Sequence, residues 1–545
     1  MTVQPRILLL VLWGAGCAEL DRIDTVRGTP DVGVALAPDL GFAEDAAAPP
    51  PSDAGFYPDA ADPGVPDLGV DAGSCETHER RCVGGERQEC IGGVYVAQGS
   101  CTVICVPDER LCRGAVAQRC SSDGTELLED NSAIGCDFWP VILGANLFGY
   151  FGGNMYAVTL TNVGTKTASI SIEGGELTQP LRVSLPPNGV SVQTLGDRAP
   201  TIPFHVRSSQ PISVVEFNPL HAVVGGTHTY SCDSSLLRPS HTWGIRYVVA
   251  SWPNFEEHAP GLLGLVALYD QTTVTITAKA DTTVGMGPPR FVDGLPPTIS
   301  LRAGEYLQLG ASAGDLTGAI IESTQPIQVI AGHTGAKIPA NIDAADRLEE
   351  SLLPVDQLST DYFVVSPAIL TLPNGKAQVV RIIAAEPDVE LSYDPPQPGA
   401  LTHIRAAGDF VELAPQATVY RVHGTKKILV AQYMQSQDVG GGTGDPAMLV
   451  PLPEAQFQSE YRFYAPLDYD SNYVDVVAPI DAEVWLDEAP LGGFVPIGGT
   501  GYALARVLGL GPGPGGDGNH HLLGSRPFQV SVYGYGQYTS YWHPL

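Results

Sequence analysis

Basic residues are scarce in this chain. Only 29 Lys and Arg stand against 60 Asp and Glu, which gives a formal net charge of −31. Such a chain offers no basic surface that could displace the counterions of phosphate groups, which argues against nucleic acid as a partner. The same charge disfavours an anionic membrane surface and instead favours solubility.

Long hydrophobic runs are also missing, because no stretch approaches the roughly 20 apolar residues of a membrane-spanning helix. The first residues have Arg6 followed by a short apolar run from Ile7 to Trp13, which is typical of a secretory signal. The small residues before Cys17 resemble the lipobox of bacterial lipoproteins, with Gly14 where Leu is usual. We therefore expect residues 1–17 to be a lipoprotein signal peptide, lipidated at Cys17. A plain signal peptide is the alternative.

Residues 18–74 have little that could build a core. They contain 12 acidic residues, eight Pro and two Arg, with much Ala and Gly. Such a composition cannot bury enough apolar surface to offset the entropy of ordering the chain. We expect a disordered, extended acidic linker that acts as a tether.

Cysteine is concentrated in residues 75–136, which hold eight of the ten. The first three recur 30 residues later, so the region is an internal duplication. In an exported protein this pattern predicts four disulfides that staple two small modules. Zinc usually needs ligands two to four residues apart, so it is the weaker alternative. Cys232 remains as a buried free thiol, and the eight predicted disulfide cysteines are Cys75, Cys82, Cys90, Cys101, Cys105, Cys112, Cys120 and Cys136.

Gly (62) and Pro (46) are abundant in the chain as a whole, and from about residue 138 apolar and polar residues alternate, which favours short strands over helices. One phrase recurs four times: "QPISVVEFNP" at 210, "QPIQVIAGH" at 325, "KKILVAQYM" at 426 and "RPFQVSVYG" at 526. The fold prediction is therefore all-β, with about four tandem antiparallel β-sandwiches at 138–230, 231–340, 341–440 and 441–545. A propeller-like arrangement is the alternative, although propeller blades repeat every 40–50 residues.

The repeated phrase also predicts a pattern of burial. Alternate residues of a strand point to opposite faces, so Gln328 is expected on the outer face, where truncation to Ala would cost little. The residues expected to point into the sandwich cores are Ile212, Val214, Ile327, Val329, Ile428, Val430, Phe528 and Val530.

Two junctions are more distinctive: "CDSSLLRPSHTWGIRYVVASWP" (232–253) and "AGHTGAKIPANIDAADRLEESLLPVDQLSTDYFVVSP" (331–367). With "DLTGAIIESTQPIQVI" and "YGYGQYTSYWHPL" they resemble the N-terminal domain of IgGFc-binding proteins, over most of 140–545. The resemblance implies an extracellular, non-catalytic binding or adhesion module, and does not imply that antibody Fc is the ligand. The family often has Cys at the positions of Gly335 and Ala345, which this chain has lost together.

Few motifs indicate chemistry. "GASAG" would make Ser312 a nucleophile, but turn and strand follow where a helix is needed, so no catalytic residue and no cofactor are expected. Asp468, Asp470 and Asn472 alternate as calcium ligands can, although the Gly and distal Glu of a calcium loop are missing. The adjacent His520 and His521 point to opposite faces of a strand and receive no role.

Three functions remain open at this stage. The first is a lipid-anchored binding or adhesion protein of the bacterial outer membrane or cell surface, with a protein or glycan ligand. Such a protein would associate with the membrane only through its lipid anchor. The second is a structural envelope lipoprotein, and the third is a secreted hydrolase with an unrecognised site.

Overall fold

The computed structural model describes residues 80–83, 85–91, 93–144, 156–196, 202–221, 223–224, 227–228, 231–254, 259–279, 283–284, 298–342, 344–372 and 374–545. Cys17, Cys75 and the linker expected at 18–74 lie outside them. Strands and four short 3-10 turns make up the regular structure of the described part, which confirms the all-β prediction. No helix in this part is long and apolar enough to cross a bilayer.

The cysteine-rich region forms two three-stranded antiparallel sheets. The first contains β1 (Arg80–Val83), β2 (Glu86–Ile91) and β3 (Val94–Ser100), and the second contains β4 (Arg110–Arg113), β5 (Val116–Cys120) and β6 (Leu127–Glu129). The disulfide Cys82–Cys101 in the first is the counterpart of Cys112–Cys136 in the second. Cys105 pairs with Cys120, and Cys90 is also disulfide-bonded. The duplication therefore extends to the cross-links.

Four β units follow along the chain. Unit 1 contains β7 (Gly135–Phe138), β8 (Tyr156–Asn162), β9 (Ala168–Gly174), β10 (Leu181–Leu185), β11 (Val190–Gly196), β12 (Phe204–Phe217), the hairpin β13 (Val223–Val224) and β14 (Thr227–His228), and β15 (Ser234–Leu236). Unit 2 contains a 3-10 turn (Ser240–Thr242), β16 (Gly244–Val248), β17 (Gly261–Ala267), β18 (Thr272–Thr277), β19 (Thr283–Val284), β20 (Thr298–Leu301), β21 (Tyr306–Ala313), β22 (Ile320–Lys337) and β23 (Ala345–Ser351).

The second half of the chain repeats this order. Unit 3 contains a 3-10 turn (Val355–Gln357), β24 (Ser359–Val365), β25 (Gln378–Ala384), β26 (Val389–Asp394), β27 (His403–Ile404), β28 (Phe410–Gln416), β29 (Val419–Met434), a 3-10 turn (Gln437–Val439) and β30 (Met448–Leu449). Unit 4 contains a 3-10 turn (Glu454–Gln456), β31 (Gln458–Tyr464), β32 (Ser471–Pro479), β33 (Val484–Leu486), β34 (Ala489–Pro490), β35 (Val495–Pro496), β36 (Tyr502–Leu508), β37 (Asn519–Gly536) and β38 (Thr539–Pro544).

Each unit is built around one long strand that belongs to two sheets. In unit 3, the first half of β29 pairs with β24 and β26, and its second half pairs with β25 and β30. The long strands of the other units, β12, β22 and β37, pair in the same way. The result is a sandwich whose two sheets share their central strand. This confirms the predicted tandem sandwiches, and the repeated phrase is the second half of each shared strand.

The burial predicted for the phrase is confirmed, since all eight inward residues are at most 1 % exposed. The expectation for Gln328 is wrong. It is 2 % exposed, and its Nε2 donates to the backbone oxygen of Trp139 in unit 1, at 3.1 Å. The opposite face of this strand therefore packs against the neighbouring unit, so both of its faces are core.

A second repeat places the opening strand of units 2, 3 and 4. A Pro starts each 3-10 turn that leads into the strand, and a buried Tyr follows eight residues later. The Tyr hydroxyl accepts from the backbone N–H three residues before it, at 2.7–3.0 Å. In units 2 and 4 it also donates to the first inward residue of the phrase. The three pairs are Pro239 and Tyr247, Pro354 and Tyr362, and Pro453 and Tyr461.

The units form a closed ring, because unit 4 also contacts unit 1: Thr161 Oγ1 donates to the backbone oxygen of Arg462. The closing strands β15, β23, β30 and β38 meet at the centre. There Asp233, which is fully buried, accepts one backbone N–H from each of them at 2.9–3.2 Å. Burial raises the pKa of Asp233 well above its ordinary value, and the four N–H groups offset this only in part. Because every contact is a donor, the geometry fits the ionised carboxylate, and one side chain joins all four units. The donors belong to Ser234, Glu349, Met448 and Trp542.

Candidate binding clefts

Three of the four units carry the same charged pattern on one face of the long strand. An acid on the opening strand lies beside a basic residue of the long strand, and a second acid follows on the strand at the other side. The strand registers place these residues at equivalent positions in the three units. In each unit, the first acid directly precedes the buried aromatic residue of the opening strand. The triads are Asp137, His205 and Glu173 in unit 1, Asp361, Arg421 and Asp394 in unit 3, and Glu460, His521 and Asp487 in unit 4.

In unit 3 the triad forms the floor of a cleft of about 400 Å³. Asp361 accepts from Arg421 Nη2 at 2.9 Å and lies 3.0 Å from Nδ1 of His423. Burial raises the pKa of Asp361, but hydrogen bonds from Thr360 and His423 and the charge of Arg421 outweigh it and lower the pKa. The Asp361 carboxylate is therefore ionised over the neutral range.

The roof of this cleft is a glycine turn from unit 4. The backbone N–H of Gly499 donates to both oxygens of Asp394, at 3.1 and 3.0 Å. Gly498 has φ +50, and a Cβ there would lie 2.0 Å from Asp394 Oδ1, so the approach of the turn requires glycine. The cleft is thus a feature of the junction between two units.

Unit 4 has the equivalent cleft, of about 420 Å³, beneath a turn of unit 1 at 188–190. Glu460 Oε1 lies 3.0 Å from both His521 Nε2 and Arg462 Nη2. Asp487 accepts the backbone N–H of His521 at 2.9 Å and contacts Nδ1 of His520 at 2.8 Å. The two clefts therefore share their position in the repeat, and both combine acidic and basic side chains, with Glu460 beside the unit 4 cleft rather than in its lining.

In unit 1 the same place is filled by a side chain. Trp139 stacks on His205 at 3.8 Å, and its Nε1 donates to Asp137 at 3.0 Å. The covering turn of unit 2 lies against it, since a Cβ on Gly304 would be 3.1 Å from the indole ring. Burial raises the pKa of Asp137, but the donors His205, Ser240 and Trp139 lower it overall. The first copy is therefore plugged.

Unit 2 has lost the pattern. Arg246, Ile320 and Thr277 occupy the three triad positions. Gly318 lies close against Gly408 of unit 3: a Cβ on Gly318 would be 1.8 Å from the backbone oxygen of Gly408. The units therefore differ at this position: units 3 and 4 are open, unit 1 is plugged, and unit 2 is without the triad.

The residues singled out as a calcium candidate do not converge. Both polar atoms of the Asn472 side chain are used, with Nδ2 donating to Pro466 and Oδ1 accepting from Tyr541. Asp468 instead lies 3.2 Å from Nδ1 of His221, and Asp470 is exposed. Within the described ranges no group of three His, Cys, Asp or Glu side chains is arranged to hold a metal.

The remaining sequence candidates occupy structural positions. Cys232 is a free, fully buried thiol, and burial raises its pKa. Ser312 lies within β21, and a turn follows that strand. Gly335 and Ala345, the positions of the lost cysteines, lie on the paired strands β22 and β23.

Sequence reasoning missed the clefts and gave His521 no role. A usable signal exists, because the first acid directly precedes the Tyr of the Pro–Tyr repeat in units 3 and 4. The basic residue stands seven positions before the first inward residue of the phrase in units 1, 3 and 4. Both the first acid and the basic residue therefore stand at fixed distances from the repeated sequence features of their unit.

Comparison with known proteins supports the binding interpretation. The family model of the IgGFc binding protein matches residues 233–534, which include units 2 and 3 and most of unit 4. No curated protein was found to match the chain. Because the matched range covers more than half of the sequence, the chain belongs to the IgGFc binding protein family.

Proposed function

We propose that this protein is an exported, lipid-anchored, non-catalytic binding protein that engages its ligand at the junction clefts of units 3 and 4. One observation carries the proposal: a chain of a binding family has two equivalent open clefts whose charged floors lie in its matched region. Clefts of this size, with a few convergent polar groups, are the usual form of a ligand site.

The anchor part of the proposal rests on Cys17 and the acidic linker after it. In a bacterial host the chain should partition into detergent and carry acyl chains on Cys17. Cys17→Ser should remain in the aqueous phase, and mass spectrometry of the mature N-terminus distinguishes the two. An unmodified N-terminus at another residue would reject lipidation.

The binding part is tested with the full mature chain against a surface panel of glycoproteins, which includes the Fc fragment named by the family. Binding should fall when Arg421 and Arg462 are both changed to Gln. Arg246→Gln, which removes an exposed Arg–Glu pair in the unit without a triad, is the matched control. Equal binding by all three proteins would exclude the clefts.

A further inference from the structure

The floors of the two open clefts present hydrogen-bond donors and acceptors side by side. Each contains an arginine whose Nη2 is held by a carboxylate, at 2.9 Å for Arg421 and 3.0 Å for Arg462. The Nε of each is itself buried and has no hydrogen-bond partner in the part of the chain that the structure describes, but the side chains as a whole are 31 % and 22 % exposed. A partly exposed guanidinium group next to carboxylate acceptors therefore occurs in both clefts.

This mixture restricts the chemistry of a ligand. A carboxylate or phosphate ligand would face Asp394 in one cleft and Asp487, Glu488 and Asp517 in the other. An organic cation would face Arg421 in one cleft or Arg462 in the other, and an apolar ligand would leave charged groups unpaired. A hydroxyl group both donates and accepts, so a neutral ligand with several adjacent hydroxyls fits both floors.

The position of the clefts in the repeat adds a second restriction. They have nearly equal volumes, about 400 and 420 Å³, and lie at the same place in successive units of one ring. Two equivalent sites at a fixed separation favour a ligand that presents the same group repeatedly, because the second contact is then intramolecular.

We infer that the two clefts are equivalent sites for neutral sugar units and together bind one chain of a repeating polysaccharide. The inference rests on the proposed function and names its ligand class. A free oligosaccharide would fill either cleft alone, whereas a polymer would bridge both. The gain from bridging typically reaches at least about 10²-fold in affinity.

The test uses the full mature chain on an array of neutral and acidic glycans, followed by titration calorimetry with the neutral oligosaccharide and polymer that bind. We expect two oligosaccharide sites per chain. Arg421→Gln or Arg462→Gln should reduce this number to one and weaken polymer binding by about 10²-fold, while the double variant should bind neither. Arg246→Gln should bind as the wild type does.

A blocking variant separates loss of a contact from loss of folding. Ser392 is an exposed residue of the unit 3 cleft, and Ser392→Trp would place an indole ring in this cleft, from the strand opposite His423, while leaving the charged groups in place. It should remove one oligosaccharide site without changing the thermal transition.

Several outcomes would overturn the inference. They are an array without neutral glycan binding, preference for acidic glycans, unchanged binding by the double variant, or one site per chain in the wild type. Binding of a protein ligand that depends on the clefts, without glycan binding, would reject the sugar assignment and leave the proposed function standing.

Discussion

The centre of the ring and its junction clefts use carboxylates in opposite ways. At the centre, Asp233 is fully buried and accepts four backbone N–H groups. At the clefts, Asp361 in the floor of one and Glu460 beside the other are partly exposed and are held by arginine and histidine side chains. Backbone donors are fixed by the fold, whereas side-chain partners can reorient toward a ligand. The centre is therefore committed to assembly, and the clefts remain free for recognition.

The sharpest test of this difference is Asp233→Asn. The amide would turn an NH₂ group toward two of the four N–H donors and remove the charge that they stabilise. Breaking such a buried network costs about 3–5 kcal/mol, measured by denaturant unfolding. Glu460→Gln at the unit 4 cleft, where the carboxylate is held by the side chains of Arg462 and His521, is the matched control and should cost less than about 1 kcal/mol. Similar losses for the two variants would contradict the contrast.

The centre also predicts a dependence on pH. Glu349 of unit 2 and Glu216 of unit 1 are both buried and share a site with Tyr156 and Asn218. Burial raises the pKa of Glu349 to about 7 and that of Glu216 well above its ordinary value. An acid with a raised folded-state pKa binds more protons when folded, so its contribution to stability falls as pH rises from about 4.5 to about 7.

We therefore expect the stability difference between Glu349→Gln and the wild type to change by up to about 3 kcal/mol over this window, in favour of the variant at higher pH. Unfolding curves at pH 4.5, 6 and 7.5 measure this difference. Asp361→Asn serves as the control, because the pKa of Asp361 is lowered, so this acid titrates below the tested range in both states and its difference from the wild type should stay flat between pH 4.5 and 7.5. If the stability difference between Glu349→Gln and the wild type did not change with pH, the pKa of Glu349 would not be raised in the folded protein.

A smaller effect is expected at the junction of units 1 and 2. Gln328→Ala removes the hydrogen bond to Trp139 and leaves the backbone oxygen of Trp139 without this donor. A buried hydrogen bond of this kind contributes about 1–2 kcal/mol, so Gln328→Ala should lower the free energy of unfolding by that amount. Ser213→Ala, at the equivalent but half-buried position of unit 1, should change it by less than about 0.5 kcal/mol.

The smallest expected change in stability concerns the plug. Trp139→Ala should destabilise unit 1 modestly, since the ring is half-buried and stacks on one imidazole. The more informative measurement on Trp139→Ala is the number of ligand sites per chain, because removal of the indole should open a third site above Asp137 and His205. Calorimetry should then find three oligosaccharide sites per chain, and a count that remains at two would show that the plug does not block a functional copy.

The fold was largely predictable because its strongest signal is local. Alternation and the repeated phrase placed Ile327, Val430 and their equivalents in the cores, and the family resemblance was correct. Gln328 was not predictable, since its burial comes from a neighbouring unit and no local pattern reports that contact. The clefts were missed for a related reason: Arg421 and Asp361 lie 60 residues apart, and only the strand register brings them together.

The central carboxylate has a consequence for the order in which the units can fold. Asp233 belongs to unit 1, yet one of its four donors, Trp542, belongs to unit 4 and lies 309 residues later in the sequence. A chain that folded one unit at a time would leave Asp233 without this donor until unit 4 had formed. The centre therefore links the folding of the first unit to that of the fourth, and a variant without unit 4 would bury a carboxylate with an incomplete set of donors.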